Sequence, residues 1–359
     1  MKRIAYFISP HGFGHAARAA SVMEAIHAID PLIGFEIYAA TPSWFFRDNL
    51  DGLLSYRYLM TDLGLVQKTP FEEDLDETIA RLNQLLPYEA TQIAAVSHEI
   101  TDLNCRLAIC DVAPMGLLIA KEAGILSVLV ENFTWDWLYE GYLDRAKQIA
   151  AHIRYLRRVF NKADVHIQTE PVCNPKPVEL CAGPASRKIK SPKVDVRRKL
   201  GLSENSTLVL ITTGGVPQEY KFTDKISTRR GIHFVIPCGC KKPQFRDNLI
   251  FLPHHSDFFH PDLVNAADVV IGKAGYSTIA EVYHAGVPFG YIPCSNNREA
   301  AKLVTFIKDE MSGLPISESE FQSGSWMDQL NRLLQMPRTE RNVPNGADQI
   351  ARFILDLLN

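Results

Sequence analysis

The stretch from Ala267 to Ala300, ADVVIGKAGYSTIAEVYHAGVPFGYIPCSNNREA, constrains the fold of this chain most strongly. Its pattern predicts a short buried strand over 268–272, a tight turn at 273–275, a helix over 276–285 and another strand over 288–293. A helix that follows a strand and a glycine turn exposes unpaired N–H groups and the positive end of its dipole. The stretch is therefore a candidate phosphate site, although such turns are common in parallel sheets.

The predicted helix opens with Ser277 and Thr278, and Glu281 lies one turn further along the same face. A carboxylate in that position can accept hydrogen bonds from the hydroxyls of a sugar whose phosphate rests on the helix end. The alternative is an ordinary α/β unit in which Ser277 is an N-cap without a ligand. The local sequence supports both interpretations.

Buried strands followed by polar residues recur in the first half of the chain. The predicted strand 4–8 is followed by the glycine loop PHGFGH, which contains His11 and His15. The strand 107–110 is followed by Asp111, and the strand 126–130 is followed by the polar run that includes Asn132 to Asp136. Repeated alternation of buried strands and helices predicts an α/β fold with doubly wound parallel sheets. Ligands of such sheets bind beyond the carboxyl ends of the strands, so we expect these polar clusters to form one site.

The length of 359 residues favours two domains, and residues 170–193 are rich in proline and lysine, as linkers are. We predict a first Rossmann-like domain at 1–169, with 165–168 as its last strand, and a linker at 170–193. A second Rossmann-like domain follows at 194–343, where the strand 208–213 runs into the glycine loop Gly214-Gly215. A final helix at 344–359 is placed to pack back on the first domain.

Composition excludes several classes of protein. The net charge of −3 gives no electrostatic footprint for nucleic acid or a membrane surface. Seven scattered cysteines do not form a disulfide framework or a zinc pattern. The most apolar region, 107–130, is interrupted by charged residues, and the apolar run at the start is too short for a secretory signal. We therefore expect a cytoplasmic protein without a transmembrane segment.

His15 and Asp111 are the candidate acid–base pair. A neutral imidazole at the start of a helix could remove a proton from an alcohol, and a carboxylate on its other nitrogen would orient it. The alternative is a histidine near a helix N-cap that has no chemical role.

Three further polar groups have a structural and a functional interpretation. His254, His255, Asp257 and His260 lack the regular spacing of a zinc site, which favours a solvated loop or one that contacts a nucleoside. Trp135 could stack on a sugar ring or fill a core. The run Asn296-Asn297-Arg298-Glu299 could bind sugar hydroxyls and a phosphate, or could simply begin a helix.

Several motifs together resemble the GT-B glycosyltransferases of the UDP-glycosyltransferase and lipid II-forming N-acetylglucosaminyltransferase type. IGKAGYSTIAEVYHAGVP resembles their donor-binding motif, HGFGHAARA their first glycine loop with its histidine, and TTGGVPQE their second glycine loop. The first two, with CDVAPMGLLIAKEAGILSVLVENFTWDWLYEGY, are closest to the glycosyltransferase-like N-terminal domain of plant L-arabinokinase.

The resemblance implies two Rossmann-like domains, an acceptor held by the first, a nucleotide-sugar held by the second, and no metal or other cofactor. By this resemblance His15 is the catalytic base and Asp111 its partner. The donor-binding residues are Gly214, Gly215, Lys273, Gly275, Tyr276, Ser277, Thr278, Glu281, Asn297, Arg298 and Glu299. The acceptor-binding residues are His11, Gly12, Gly14, Asn132, Trp135 and Asp136.

One departure concerns the donor sugar. Natural-product transferases usually carry Asp-Gln or Gln-Gln after the strand that ends here at Pro293, whereas this chain has Asn297-Arg298-Glu299. We predict an inverting, metal-independent glycosyltransferase that moves a sugar from a nucleoside diphosphate, such as UDP, to an acceptor hydroxyl. The alternatives are a nucleotide-sugar 2-epimerase or hydrolase on the same fold, and a nucleotide-sugar-binding module without catalysis.

Overall fold

The computed structural model of the chain describes residues 2–50, 52, 54–215, 220–294 and 297–358. The strands of the first half are β1 (Arg3–Ile8), β2 (Gly34–Ala39), β3 (Leu54–Tyr58), β4 (Gln67–Thr69), β5 (Glu72–Glu73), β6 (Cys105–Asp111), β7 (Leu126–Glu131), β8 (Val165–Thr169) and β9 (Leu180–Ala182). Its helices are α1 (Gly14–Ile29), α2 (Ser43–Asn49), α3 (Leu75–Leu85), α4 (Ala90–Asp102), α5 (Pro114–Ala123), α6 (Trp135–Glu140) and α7 (Ala150–Phe160), with a 3₁₀ turn at Lys147–Ile149 before α7.

The second half begins with the helix α8 (Lys193–Lys199). Its strands are β10 (Thr207–Thr212), β11 (Ile232–Cys240), β12 (Gln244–Arg246), β13 (Leu249–Pro253), β14 (Val269–Lys273), β15 (Phe289–Ile292) and β16 (Gly313–Pro315). Its other helices are α9 (Thr223–Ser227), α10 (His260–Ala266), α11 (Tyr276–Ala285), α12 (Arg298–Glu310), α13 (Glu318–Ser323), α14 (Met327–Leu334) and α15 (Gly346–Leu358).

The described residues form two seven-stranded sheets. The first has the order β3-β2-β1-β6-β7-β8-β9 and is parallel throughout. The second has the order β12-β13-β11-β10-β14-β15-β16 and is parallel except for the edge strand β12. The predicted doubly wound α/β fold is thus confirmed.

The direction of winding reverses once in each sheet, between β1 and β6 in the first and between β10 and β14 in the second. Such a switch point leaves a crevice at the carboxyl ends of the two strands. His15 follows β1 and Asp111 ends β6, while Gly214 follows β10 and Gly275 follows β14. The two switch points therefore carry the polar loops that the sequence singled out.

Each sheet is buried on both faces because helices cover it on both sides. Apolar clusters around α4, α5 and α7 lie on one face of the first sheet, and clusters around α1, α2 and α15 lie on the other. Residues 4–8 of β1 are fully buried, which explains why this strand is a continuous apolar run instead of an alternating one. Across the described residues, none of the helices has the length and apolar character needed to cross a bilayer.

The strand 165–168 was expected to be the last of the first half, and this is wrong. β9 pairs in parallel with β8 and adds a seventh strand from within the predicted linker. A three-residue edge strand among prolines has too few residues to show a period, so its backbone pairing left no pattern in the sequence.

The last helix of the chain packs on the first half of the molecule. α15 contacts α1 and β9 after the chain has completed the second sheet. The approach is close at Gly346, where an added Cβ would lie 1.9 Å from the carbonyl oxygen of Gly183. A glycine is therefore required for this contact.

Candidate functional site

The site is a cleft between the carboxyl ends of the two sheets. Two cavities fill it and share Phe13, Gly214, Ser277 and Thr278: an inner cavity of about 120 Å³ and an outer cavity of about 420 Å³. The amino ends of α1 and α11 meet here, since a Cβ added to Gly14 would lie 3.7 Å from Ser277 Oγ. Helix ends from both halves therefore point into the same space.

The structure brings together many of the residues that the sequence predicted. Those around the inner cavity are His11, Gly12, Gly14, His15, Asn132, Trp135, Gly214, Lys273, Gly275, Tyr276, Ser277, Thr278, Asn297 and Glu299. Gly215 and Glu281 line the outer cavity. Asp111 is fully buried behind His15, so a ligand in the cleft would reach it only through that histidine.

His15 is the second residue of α1, and its imidazole is held by Asp111 at the end of β6. His15 Nδ1 lies 3.0 Å from Asp111 Oδ1. A carboxylate only accepts hydrogen bonds, so this contact requires the proton on Nδ1 and leaves Nε2 as the nitrogen without a proton. Burial lowers the pKa of His15, and the hydrogen bond to Asp111 offsets this only in part. The imidazole is therefore neutral at physiological pH, as a general base must be.

Arg18 is a member of this site that the sequence analysis missed. Its Nε lies 2.8 Å from Asp111 Oδ2 and its Nη2 lies 2.7 Å from Asp111 Oδ1, so the guanidinium holds the carboxylate with two bonds. Burial alone would raise the pKa of Asp111, but the charge of Arg18 and its hydrogen bonds lower it. The available signal was an arginine three residues after His15 in the apolar helix sequence AARAASV.

His11 lies beside His15, and burial lowers its pKa as well. Burial, His15 and Lys273 together lower the pKa of His11 to about 3. Its ring stands edge-on to Trp135, with 5.3 Å between the ring centroids. The imidazole therefore presents an uncharged face to the inner cavity at neutral pH.

The second half contributes the amino end of α11 to the cleft. Gly275 is the N-cap and has no side-chain oxygen to bond the first N–H groups of the helix. A Cβ added to Gly275 or to Gly214 would meet nothing within 4 Å, so the space in front of both glycines is open. Gly214 has a φ of +72°, which favours glycine. These are the features of an anion site at a helix terminus.

Glu281 faces the outer cavity but already has two side-chain partners, Arg187 and His260. Its Oε1 lies 2.7 Å from Arg187 Nη2, and its Oε2 lies 2.7 Å from His260 Nδ1. Burial would raise the pKa of Glu281, but Arg187 and His260 lower it to about 2. Arg187 comes from the predicted linker and also donates to Asn49 Oδ1 at 2.9 Å. No pattern in the sequence connects these distant segments.

Two residues assigned to the site by sequence lie outside both cavities. Arg298 stacks on Trp137, with 4.3 Å from its guanidinium carbon to the ring centroid, and donates to Glu140 Oε2 at 2.6 Å. Asp136 accepts from Arg157 Nε at 3.2 Å. Both side chains have partners on neighbouring helices, so donor contact by Arg298 and acceptor contact by Asp136 stay predictions.

Glu299 and Asn132 join the two halves across the inner cavity. Asn132 Nδ2 donates to Glu299 Oε1 at 2.9 Å. Burial raises the pKa of Glu299, and the bond from Asn132 opposes that rise only partly. Asn297 caps α12 by accepting from the Glu299 N–H. The neighbouring Asn296 of the predicted polar run lies outside the described residues, as do Val216 to Glu219 of the second glycine loop.

The histidine loop between β13 and α10 connects the halves on the outer side. His255 Nε2 lies 2.7 Å from Asp48 Oδ2 and its ring stacks on Trp44 at 4.4 Å between centroids. His254 packs edge-on against Phe13. In the part of the chain that the structure describes, no three His, Cys, Asp or Glu side chains are grouped as a metal site would need. The loop lines the outer cavity, where it can contact a nucleoside.

Comparisons with known proteins support the resemblance. Residues 216–354 match the glycosyltransferase family 28 C-terminal domain. Over 98% of its length the chain is 25% identical to L-arabinokinase of Arabidopsis thaliana, and it spans only 34% of that protein. It is 22% identical to UDP-N-acetylglucosamine–N-acetylmuramyl-(pentapeptide) pyrophosphoryl-undecaprenol N-acetylglucosamine transferase of Bacillus licheniformis, over 66% of this chain and 69% of that one.

The architecture agrees with solved glycosyltransferases. The structure of spinosyn forosaminyltransferase SpnP superposes with a TM-score of 0.65 at 14% identity, and the match covers 99% of both chains. At that identity the likeness establishes the fold alone, and the family 28 match covers residues 216–354, which is less than half of the chain. The chain therefore has the GT-B fold of two Rossmann-like domains, and its second half is similar to the glycosyltransferase family 28 C-terminal domain.

Proposed function

We propose that the protein transfers a sugar from a nucleoside diphosphate to an acceptor hydroxyl, with inversion at the anomeric carbon and without a metal ion. The observation that supports this most is the position of His15, which faces the uncapped amino end of α11 across the inner cavity. A proton acceptor and an anion site on opposite walls of one cleft are the two groups that this reaction needs.

In the proposed reaction His15 Nε2 removes the proton of the acceptor hydroxyl while its oxygen bonds to the anomeric carbon. The bond from that carbon to the diphosphate oxygen breaks at the same time, and the diphosphate leaves with the electron pair. Attack from the face opposite the leaving group inverts the configuration. Because the imidazole sits in a pair with Asp111, its ring orientation is fixed before the acceptor arrives.

The N–H groups at the start of α11 and the ammonium of Lys273 are placed to stabilise the leaving diphosphate. The nucleoside would extend into the outer cavity, beside His254 and Glu281. The donor sugar would lie in the inner cavity, where Asn132 and Glu299 offer hydrogen-bonding groups. A cytoplasmic location stays a prediction from composition.

The base role is tested by His15→Ala. Loss of a well-placed base typically lowers turnover by roughly 10²–10⁴-fold. We expect that loss with a donor chosen from a thermal-shift panel of nucleoside diphosphates and nucleotide-sugars, while calorimetry shows little change in UDP affinity. The matched control is His98→Ala, because His98 is exposed on α4 and lies outside both cavities.

Two results would contradict the proposal. Equal loss of UDP binding and turnover in His15→Ala would make His15 a binding residue instead of a base. Consumption of the donor at full rate without any acceptor would indicate an epimerase or a hydrolase.

A further inference from the structure

Arg18 is a charged side chain that is only 1% exposed, which is costly unless every donor of the guanidinium is bonded. Three elements of the first half supply its partners. Besides the two bonds to Asp111, Nη1 donates to Asn132 Oδ1 at 2.8 Å and lies 3.4 Å from Thr169 Oγ1. These bonds from three separate segments fix the guanidinium in one place and one plane.

Arg18 and His15 share one carboxylate oxygen. Asp111 Oδ1 receives Arg18 Nη2 at 2.7 Å and His15 Nδ1 at 3.0 Å. Arg18 Nη2 also lies 3.3 Å from His15 Nδ1. Since a guanidinium has no lone pair to offer, Nδ1 must direct its proton to Asp111, and the close guanidinium charge opposes a second proton on the imidazole. The arginine thus affects both the tautomer and the charge of the histidine.

Arg18 also contacts the second half of the molecule. Its guanidinium carbon lies 4.6 Å from the ring centroid of Tyr276, the first residue of α11. The Tyr276 hydroxyl in turn accepts the N–H of Ala185 at 3.1 Å. The helix that forms the anion site therefore covers the face of the guanidinium that would otherwise meet the cleft.

We propose that Arg18 is the positioning residue of this site: it holds Asp111 against His15 Nδ1, keeps His15 in the neutral form with a free Nε2, and is itself covered by Tyr276 of the nucleotide-binding helix. Its relevance to transfer rests on the proposed function. His15 has other titratable or charged neighbours around the inner cavity, which are His11, Asp111, Lys273, Tyr276 and Glu299.

The test is an NMR titration of the His15 imidazole in the full chain, assigned with His15→Asn. Arg18→Met removes the charge and leaves Asp111 to the histidine alone, which favours the imidazolium. We expect the pKa of His15 to rise by about one pH unit or more. The control is Arg197→Met, because Arg197 is equally buried but bonds Ala266 and Asp268 in the second half. It should leave His15 unchanged.

Arg18→Lys separates charge from geometry and serves if Arg18→Met does not fold. A lysine keeps the positive charge, so the His15 pKa should stay near its original value. The ammonium donates from a single nitrogen and lacks the planar fork that holds both carboxylate oxygens and Asn132 in the original protein, so the imidazole ¹⁵N shifts should change from a single Nδ1–H tautomer to a mixture. Tyr276→Ala should raise the His15 pKa by a smaller amount than Arg18→Met.

The proposal is overturned if folded Arg18→Met retains both the original His15 pKa and the single tautomer, or if folded Arg18→Lys retains the single tautomer. These measurements need neither donor nor acceptor, so they stand even if the transfer reaction is wrong. If the reaction is right, the acid limb of the pH–rate profile should move with the His15 pKa in Arg18→Met.

Discussion

The buried carboxylates of this protein show how partners decide the charge of a residue. Asp111 and Glu281 each bond an arginine and have lowered pKa values. Asp62 is also buried, but the Ser9 hydroxyl at 2.8 Å is its bonded neighbour, and burial raises its pKa to about 8. Glu299 is bonded by an amide and its pKa is raised as well. Residues of one chemical type thus have pKa values that are shifted in opposite directions by their partners.

Glu281→Gln should destabilise the protein at neutral pH. The folded-state pKa of about 2 lies below the ordinary value of 4.5, so the charged form contributes stability above pH 4.5 that disappears as the pH falls toward 2. A difference of this size corresponds to about 3 kcal/mol. Urea unfolding at several pH values should show a lower unfolding free energy for the variant than for the original protein near pH 7. This difference should become smaller below pH 4.5.

Glu122→Gln is the control for this comparison, since Glu122 is exposed on α5. It should leave the unfolding free energy nearly unchanged at every pH. If the difference in unfolding free energy between the original protein and Glu281→Gln stayed constant across the acid range, the bonds from Arg187 and His260 would not depend on the charge of Glu281. Weaker UDP binding by the same variant would support the ribose role that the sequence predicted for this glutamate.

Sequence reasoning identified His15 and Asp111 because each follows a buried strand, and local pattern is enough to find a strand end. It missed Arg18 and Arg187 because their importance lies in contacts over long sequence separations. Arg18 meets a residue 93 positions away and Arg187 one 94 positions away. It also assigned Arg298 and Asp136 to the site, and it did not foresee that their side chains bond Glu140 and Arg157.

At the scale of elements, α11 is a regular helix whose N-terminus has no side-chain cap. The sequence predicted its bounds, Tyr276–Ala285, because apolar spacing and the flanking glycines agree. At the other end Gly286 adopts a φ of +66° and ends the helix in the usual left-handed conformation. β9 and β12 were not predicted, since strands of three residues depend on backbone pairing with a neighbour and not on a side-chain pattern.

Gly275→Ala separates a structural from a ligand-binding role of the α11 start. Gly275 has a φ of −112°, which alanine adopts readily, and the added methyl group would point into open space. We therefore expect the melting temperature of the free protein to stay unchanged. If a diphosphate rests on this helix end, the methyl group occupies part of its place, and calorimetry should show UDP affinity falling about tenfold or more, which is about 1.4 kcal/mol.

Gly183→Ala is the matched control, because its methyl group would make ordinary contacts at 3.7 Å and lies outside both cavities. It should change neither the melting temperature nor UDP affinity. Unchanged UDP affinity in Gly275→Ala would place the diphosphate elsewhere. A large loss of stability in the free protein would show that the space before the helix is occupied by the chain itself.

At the scale of the whole molecule, the two halves touch on both sides of the cleft. On the outer side His255 of the second half pairs with Asp48 of the first, and on the other side Arg298 of α12 pairs with Glu140 and covers Trp137. The Asn132–Glu299 bond lies between them. Interfaces of this polar kind permit domains to move relative to each other. A ligand that enters an inner cavity of about 120 Å³ requires such a motion.

Removing the two peripheral contacts together should favour an open cleft. The variant Asp48→Asn with Arg298→Ala removes the carboxylate that contacts His255 and the contacts of Arg298 with Glu140 and Trp137. Each pair is partly exposed and contributes about 1 kcal/mol or less, so the single variants should have small effects and the double variant a larger one. Small-angle scattering should report a larger radius of gyration for the double variant without ligand, and saturating UDP should reduce the difference.

UDP affinity itself distinguishes this role from direct donor contact. Because the nucleotide is expected to rest on the second half, opening the cleft should change UDP affinity far less than Gly275→Ala does, while turnover falls because His15 no longer faces the donor. A loss of UDP affinity in Arg298→Ala as large as that in Gly275→Ala would indicate that Arg298 contacts the donor directly. An unchanged radius of gyration in the double variant would mean that the two peripheral contacts are not needed to hold the halves together. The Asn132–Glu299 bond and the packing of Arg18 on Tyr276 would then be sufficient.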